Sequence, residues 1–263
     1  MKRGLDAYRL KIIALFFMIL DHVDKILSYP THEYLNWPLL PEWISLITRF
    51  VSPLFLYLMI DGFYHTRSRK KFLIRLSIAA FIMCAGNTLI YLYFDKATIS
   101  NASPITLLAG NNILLTLALM FALVWCMENI KNKNHRFISV LLALIIVVLS
   151  LLTGGGVFLL PTTIIIWGFY GRKNKQCIGI FVYSLILLIF TLYTHFTIDA
   201  EMGVNLYNRL CMDCEWAIFT VIPFILAYNG ERGKNTMVTK YMFYVIYPAH
   251  LWLLTIARFL IMK

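Results

Sequence analysis

The sequence predicts an all-α, polytopic transmembrane helix bundle. Three observations carry that expectation: hydrophobic residues make up 60% of the chain, charged residues only 14%, and the mean hydropathy is +0.73. Soluble domains carry about 25% charged residues, so a soluble enzyme, a disordered chain and a fibre are excluded. One span takes roughly 20 apolar residues, and 263 residues therefore hold about nine spans and little else. No loop is long enough to fold separately, so residues 1–263 read as a single integral membrane domain with its function in or beside the lipid bilayer.

Taken in order, the expected helices lie near 10–29, 43–64, 72–94, 104–127, 137–153, 156–171, 177–197, 213–229 and 241–262. The first begins on Lys2 and Arg3 but reaches Asp21-His22 without a small-residue cleavage site, so it reads as a retained helix. Cationic residues then fall on alternate loops. Arg67, Arg69, Lys70 and Lys71 follow the second span, and Lys131, Lys133 and Arg136 the fourth. Arg172, Lys173 and Lys175 follow the sixth, and Arg232, Lys234 and Lys240 the eighth, whereas the intervening loops carry only Lys96 and Arg209. This is the positive-inside pattern. It places the N-terminus in the cytoplasm of a multi-pass membrane protein, whose expected location is a bacterial inner (cytoplasmic) membrane. It also accounts for the net charge of +11. With no groove-fitting element among the basic segments, a nucleic-acid partner is not expected.

The fifth and sixth spans meet at Thr153-Gly154-Gly155-Gly156, which reads as a tight hairpin. Pro53, Pro161, Pro223 and Pro248 fall inside spans, where each frees a backbone carbonyl that must face another helix or a water-filled cavity. Of the five cysteines, Cys84, Cys126 and Cys177 read as packing residues. Cys211-Met-Asp-Cys214 has disulfide or metal spacing, but without nearby His ligands no metal site is expected.

Ionisable groups at membrane depth cost several kcal/mol unless paired or hydrated, and mark function by default. The first span carries Asp21, His22, Asp24 and Lys25; the second carries Arg49 and, near its inner end, Asp61. Asn111 and Asn112 open the fourth span, and the ninth carries His250 and Arg258. At about 1.5 Å per residue, His22, Arg49, Asn112 and His250 come out roughly 18, 22, 22 and 14 Å above the inner side. They could therefore line one cavity, while Asp61 belongs to the cytoplasmic rim. Blander readings exist for each: Asp21 neutralising Lys25 one turn on, a hydrogen-bonded interior His22, and Arg49 or Arg258 snorkelling to an interface.

A buried imidazole beside a carboxylate can take a proton from an amine or alcohol, or itself carry an acyl group. An adjacent guanidinium can hold an oxyanion or a carboxylate. Neighbouring helix residues point about 100° apart, so the group orienting His22 is Asp21, Asp24 or a residue of another helix. The same residues would also serve a proton-coupled transporter or permease.

The residues Ile13-Ala14-Leu15-Phe16-Phe17-Met18-Ile19-Leu20-Asp21-His22 resemble the first helix of the TraX family, whose founding member is the F-pilin N-acetylase of conjugative plasmids. Arg49-Phe50-Val51-Ser52-Pro53-Leu54-Phe55 fits that family's R-x-x-x-P-x-F pattern. Gly110-Asn111-Asn112-Ile113-Leu114 is similar to its G-N-I-L segment with one inserted Asn, and Tyr247-Pro248-Ala249-His250-Leu251 to its Y-x-x-H-L. The resemblance implies an integral membrane acetyltransferase with acetyl-CoA as co-substrate and an N-terminal amine as acceptor. It implies His22 as base or acyl carrier with Asp21 as helper, and Arg49, Asn111 or Asn112, Tyr247 and His250 around the acceptor or thioester. A donor entering from the basic side would meet Asp61, Arg67, Arg69, Lys70 and Lys71 first. Peptide, glycan and lipid acceptors all remain open, because scaffold does not fix substrate.

Overall fold

A computed structural model describes residues 4–27, 41, 43–94, 112–133, 135–199, 203–234 and 236–261, with the side chains of residues 24, 25, 27 and 240 left aside. The regular structure among the described residues is all helical, with a lone bridge between Leu5 and Tyr228. The helices are α1 (Ala7–Leu27), α2 (Ile44–Thr48), α3 (Val51–His65), α4 (Arg69–Phe94), α5 (Ile113–Lys131), α6 (Arg136–Leu151) and α7 (Gly156–Gly168). They continue as α8 (Lys173–Thr194), α9 (Leu206–Met212), α10 (Ile222–Ala227) and α11 (Met237–Ile261). A π-helical turn (His195–Asp199) ends α8, and a 3-10 segment (Cys214–Val221) leads into α10.

Among the described residues five helical stretches are long and apolar enough to cross a membrane, or six if the bent pair Leu206–Met212 and Cys214–Ala227 forms one span. This is a multi-pass membrane protein. Helix occurs at the remaining expected positions too, but α6 and α7 have only 16 and 13 residues, and α1 carries Arg9, Lys11, Asp21, Asp24 and Lys25.

Where the elements depart from the sequence expectation, a backbone donor is the reason. The second span is not one helix from 43 to 64: it breaks at Arg49-Phe50, between α2 and α3. Pro53 has no N–H to return to the Arg49 carbonyl four residues back, so the helical ladder resumes only with Leu54 N–H donating to Phe50 O at 2.9 Å. The eighth span breaks likewise. Pro223 cannot bond the Phe219 carbonyl, which instead accepts from Ile222 three residues on, the tighter 3-10 pattern. The expected start of the fourth span near residue 104 lies outside the described residues. Asn112 caps α5, its Oδ1 accepting from Leu115 N–H at 3.2 Å.

The chain forms two compact units, residues 1–55 with 169–263, and residues 56–168. In the first, α1 packs on α11 and α2, and the 3-10 segment packs on α8 and α2. Its aromatic core is Phe50, 2% exposed, stacked on Phe224 at 4.1 Å and edge-on to Phe17 at 5.4 Å. Leu5 pairs with the chain after α10, donating to Ala227 O and accepting from Asn229 N–H. Gly4 (φ +126°) permits this, since a Cβ there would lie 2.6 Å from Ala227 O.

In the second unit α5 is the centre, packing on α4, α6 and α7 with Leu117, Met120, Phe121 and Val124 buried. The α6–α7 hairpin is tight, as expected. Gly156 meets the Ser150 carbonyl so closely that a Cβ would lie 1.7 Å from it, and Thr116 donates to Thr153 Oγ1 at 2.9 Å to fix the turn on α5.

Candidate functional site

Two histidines 228 residues apart meet in the first unit. His22 Nδ1 on α1 lies 3.1 Å from His250 Nε2 on α11, with ring centroids 5.1 Å apart. They meet because α1 and α11 pack side by side, burying Tyr247 and His250 at 6% and 8% exposure. His250 Nδ1 is 2.7 Å from the Ile246 carbonyl on the preceding turn. Tyr247 closes the cluster, its ring 6.4 Å from His22 and 5.7 Å from His250, both edge-on.

One residue before His22, Asp21 Oδ1 accepts a 2.7 Å hydrogen bond from buried Thr48. Thr48 is the last residue of α2, so this bond ties α1 to the break at Arg49. Arg49 turns to the 3-10 segment: its Nη2 donates to Glu215 Oε1 at 2.9 Å, and its Nε–H to Cys214 Sγ at 3.2 Å. The guanidinium is therefore held by a carboxylate and a thiol, not left to snorkel. Among the described residues no disulfide joins Cys211 and Cys214, and no group of three or more His, Cys, Asp or Glu is gathered for a metal.

The first unit thus brings together His22, His250 and Tyr247, with Asp21 and Arg49 joined through neighbouring residues on α2. Sequence reasoning missed Thr48, Glu215 and the use of Cys214 as an acceptor. Glu215 was legible as an acid entering an apolar stretch, directly after the Cys-x-x-Cys pattern that drew the reading.

Asn111, Asn112, Asp61, Arg67, Arg69, Lys70 and Lys71 fall in the residue range of the second unit. Asn112, 1% exposed, spends both ends of its amide on structure: Oδ1 caps α5, and Nδ2 donates to Ala80 O at 2.9 Å. Asn111 lies outside the described residues, as does the Lys25 side chain. Asp61 stands near the end of α3, 3.6 Å from His65 Nδ1 one turn on. Arg67, Lys70 and Lys71 are exposed, while Arg69 lies over the Phe63 ring at 4.1 Å. Arg67, Lys70 and Lys71 are the ones open to an anionic ligand; Arg69 already has an aromatic partner worth about 0.5–2 kcal/mol.

A buried acid that the sequence reading passed over also lies here. Glu128 on α5, 7% exposed, accepts from Tyr64 OH at 2.7 Å and Trp167 Nε1 at 2.8 Å, with Lys131 Nζ at 3.9 Å. Buried carboxylates are tolerated only with such partners.

Residues 7–258 match the family model described as TraX protein. A relative from Dichelobacter nodosus, described as a probable fimbrial assembly protein FimC of serogroup H1, is 25% identical over 261 residues, covering 98% of each chain. No solved structure is a significant match.

Proposed function

The chain belongs to the TraX protein family, and on that premise we propose that it is a membrane-embedded acetyltransferase. It moves an acetyl group from cytosolic acetyl-CoA to an amine or hydroxyl acceptor at or across the membrane. The relative's description as a fimbrial assembly protein favours a peptide acceptor, such as the N-terminus of a pilus subunit. The observation that carries the reading is the His22–His250 pair, a base with a built partner at membrane depth.

In this mechanism His22 takes a proton from the acceptor amine as its nitrogen attacks the thioester carbonyl. The new C–N bond forms, the C–S bond breaks, and the proton passes from His22 to the departing thiolate of CoA. Tyr247 packs beside the pair, and Arg49, already oriented by Glu215, faces the oxyanion or an acceptor carboxylate. Charge-assisted bonds of that kind are roughly twice as strong as neutral ones. The acyl-histidine route uses the same residues, with His22 as nucleophile.

The test is direct. Purified protein in detergent receives acetyl-CoA and an amine-terminated peptide, and free CoA and an acetyl-sized mass gain on the peptide are measured together. Solute flux without a covalent product would replace this reading with the permease.

Orientation follows from charge. All nine helical positions cross, the N-terminus is cytoplasmic, and residues 65–71, 128–136, 172–176 and 230–240 face the cytoplasm. In sequence Arg136 opens the short α6–α7 hairpin and Arg172 follows it, as cytoplasmic ends on both sides of a paired crossing require. Cysteines introduced at 65–71 should resist impermeant reagents in intact cells. Labelling from outside would reverse the topology.

The donor is met on that side by Asp61, Arg67, Arg69, Lys70 and Lys71, with the CoA phosphates on the exposed cations Arg67, Lys70 and Lys71. Neutralising Arg67, Arg69, Lys70 and Lys71 together should weaken acetyl-CoA binding in calorimetry by about tenfold or more, since each charge-assisted hydrogen bond contributes about 1.5–3 kcal/mol. Unchanged affinity would assign the run to topology alone.

A further inference from the structure

We propose that His250 is a positioning residue: it sets the tautomer of His22, so that His22 Nε2 carries the reactive lone pair. The consequence for rate rests on the acetyl-transfer reading; the tautomer itself does not.

The direction of the hydrogen-bond chain is fixed at its far end. His250 Nδ1 lies 2.7 Å from the Ile246 carbonyl oxygen. A carbonyl oxygen only accepts, so His250 Nδ1 is the protonated nitrogen. The His250 ring is 8% exposed and among the described residues no carboxylate pairs with it; burial then disfavours the charged form, so the ring is neutral. A neutral imidazole with a proton on Nδ1 has its lone pair on Nε2. That lone pair faces His22 Nδ1 at 3.1 Å. His22 Nδ1–H therefore donates, and in the neutral form of His22 the lone pair falls on Nε2.

The hydrogen bond that one ring nitrogen makes decides what the other can do. Here a backbone carbonyl, relayed through a second imidazole, plays the part that a carboxylate plays in other histidine pairs. Asp21, adjacent in sequence, accepts from the Thr48 hydroxyl. Tyr247 edge-on to both rings limits their rotation. The ring edge bearing His22 Nε2 then receives the acceptor proton and later returns it, and His250 need not touch substrate.

The experiment uses full-length protein labelled with 15N-histidine in nanodiscs, and reads which ring nitrogens of His22 and His250 carry protons. Two variants separate positioning from structure. His250→Gln places an acceptor oxygen close to where Nε2 stands, whereas His250→Leu keeps the bulk and removes the acceptor. Both are first checked for monodispersity and donor binding.

Expected is a His22 with Nδ1 protonated in wild type and in His250→Gln, shifting toward the Nε2–H form in His250→Leu. Turnover should fall about 10–100-fold in His250→Leu, the range for losing an orienting partner, and recover to within about threefold of wild type in His250→Gln, which keeps that partner. A wild-type His22 protonated on Nε2 would overturn the proposal. So would a doubly protonated His250, or a His22 tautomer unmoved by His250→Leu. The spectrum reads the tautomer whether or not acetyl is transferred, so a correct tautomer without acetylated product would defeat the proposed function and leave the tautomer assignment supported.

Discussion

Replacing His22 with Ala is expected to lower acetyl transfer by about 10²–10⁴-fold, the usual loss for a general base, and to abolish turnover if His22 carries the acyl group. Folding should survive, for physical reasons. Ala is the best helix former, and His22 is only partly buried. Its exchange leaves His250 with the Ile246 carbonyl bond intact. The measurement is CoA release and product mass in detergent, on protein that remains monodisperse and still binds acetyl-CoA. Near wild-type turnover would remove His22 from the mechanism and move the weight to His250 or to transport.

That histidine pair was half legible in the sequence. Helical rise alone brought His22 and His250 to within about a turn of one another in depth, and the ionisable residues of α1 stood out against apolar surroundings. What depth could not give was the face each ring occupies, and so which nitrogen meets which. Arg49 was legible as a residue, but its surroundings were not. The spacing Arg49 to Pro53 is one helical turn, the distance at which proline removes the donor from the arginine's own carbonyl. Read that way, the pattern announces a break rather than a continuous span, and the break is where Arg49 turns toward Glu215 and Cys214.

Asn112 is the opposite case. An asparagine opening an apolar run is first of all a helix cap, and its amide is committed to Leu115 N–H and Ala80 O. Glu128 was passed over because Glu128-Asn129-Ile130-Lys131 looks like a solvated helix end. Only the packing of α7 beside α5 turns it into a buried acid.

Glu128→Leu is therefore expected to be destabilising, although the substitution adds apolar bulk inside a membrane protein. The carboxylate is the acceptor for Tyr64 OH and for Trp167 Nε1, two donors from α3 and α7 converging on one oxygen of α5. Leucine leaves both donors facing hydrocarbon, at about 1–3 kcal/mol for each buried group that loses its partner. Two such losses outweigh the transfer gain from one buried apolar side chain, about 1.5–3 kcal/mol at most. Glu128→Gln keeps an acceptor oxygen of the same reach and should stay within about 1 kcal/mol of wild type, the net worth of one hydrogen bond. The comparison separates acceptor from charge. Thermal unfolding in detergent, followed by the loss of the monodisperse peak, should rank wild type and Glu128→Gln together and Glu128→Leu well below. If Leu proved as stable as wild type, the carboxylate would not be fastening α3, α5 and α7. If Gln proved as damaging as Leu, its charge rather than its acceptor would hold the cluster, with Lys131 at 3.9 Å as the partner.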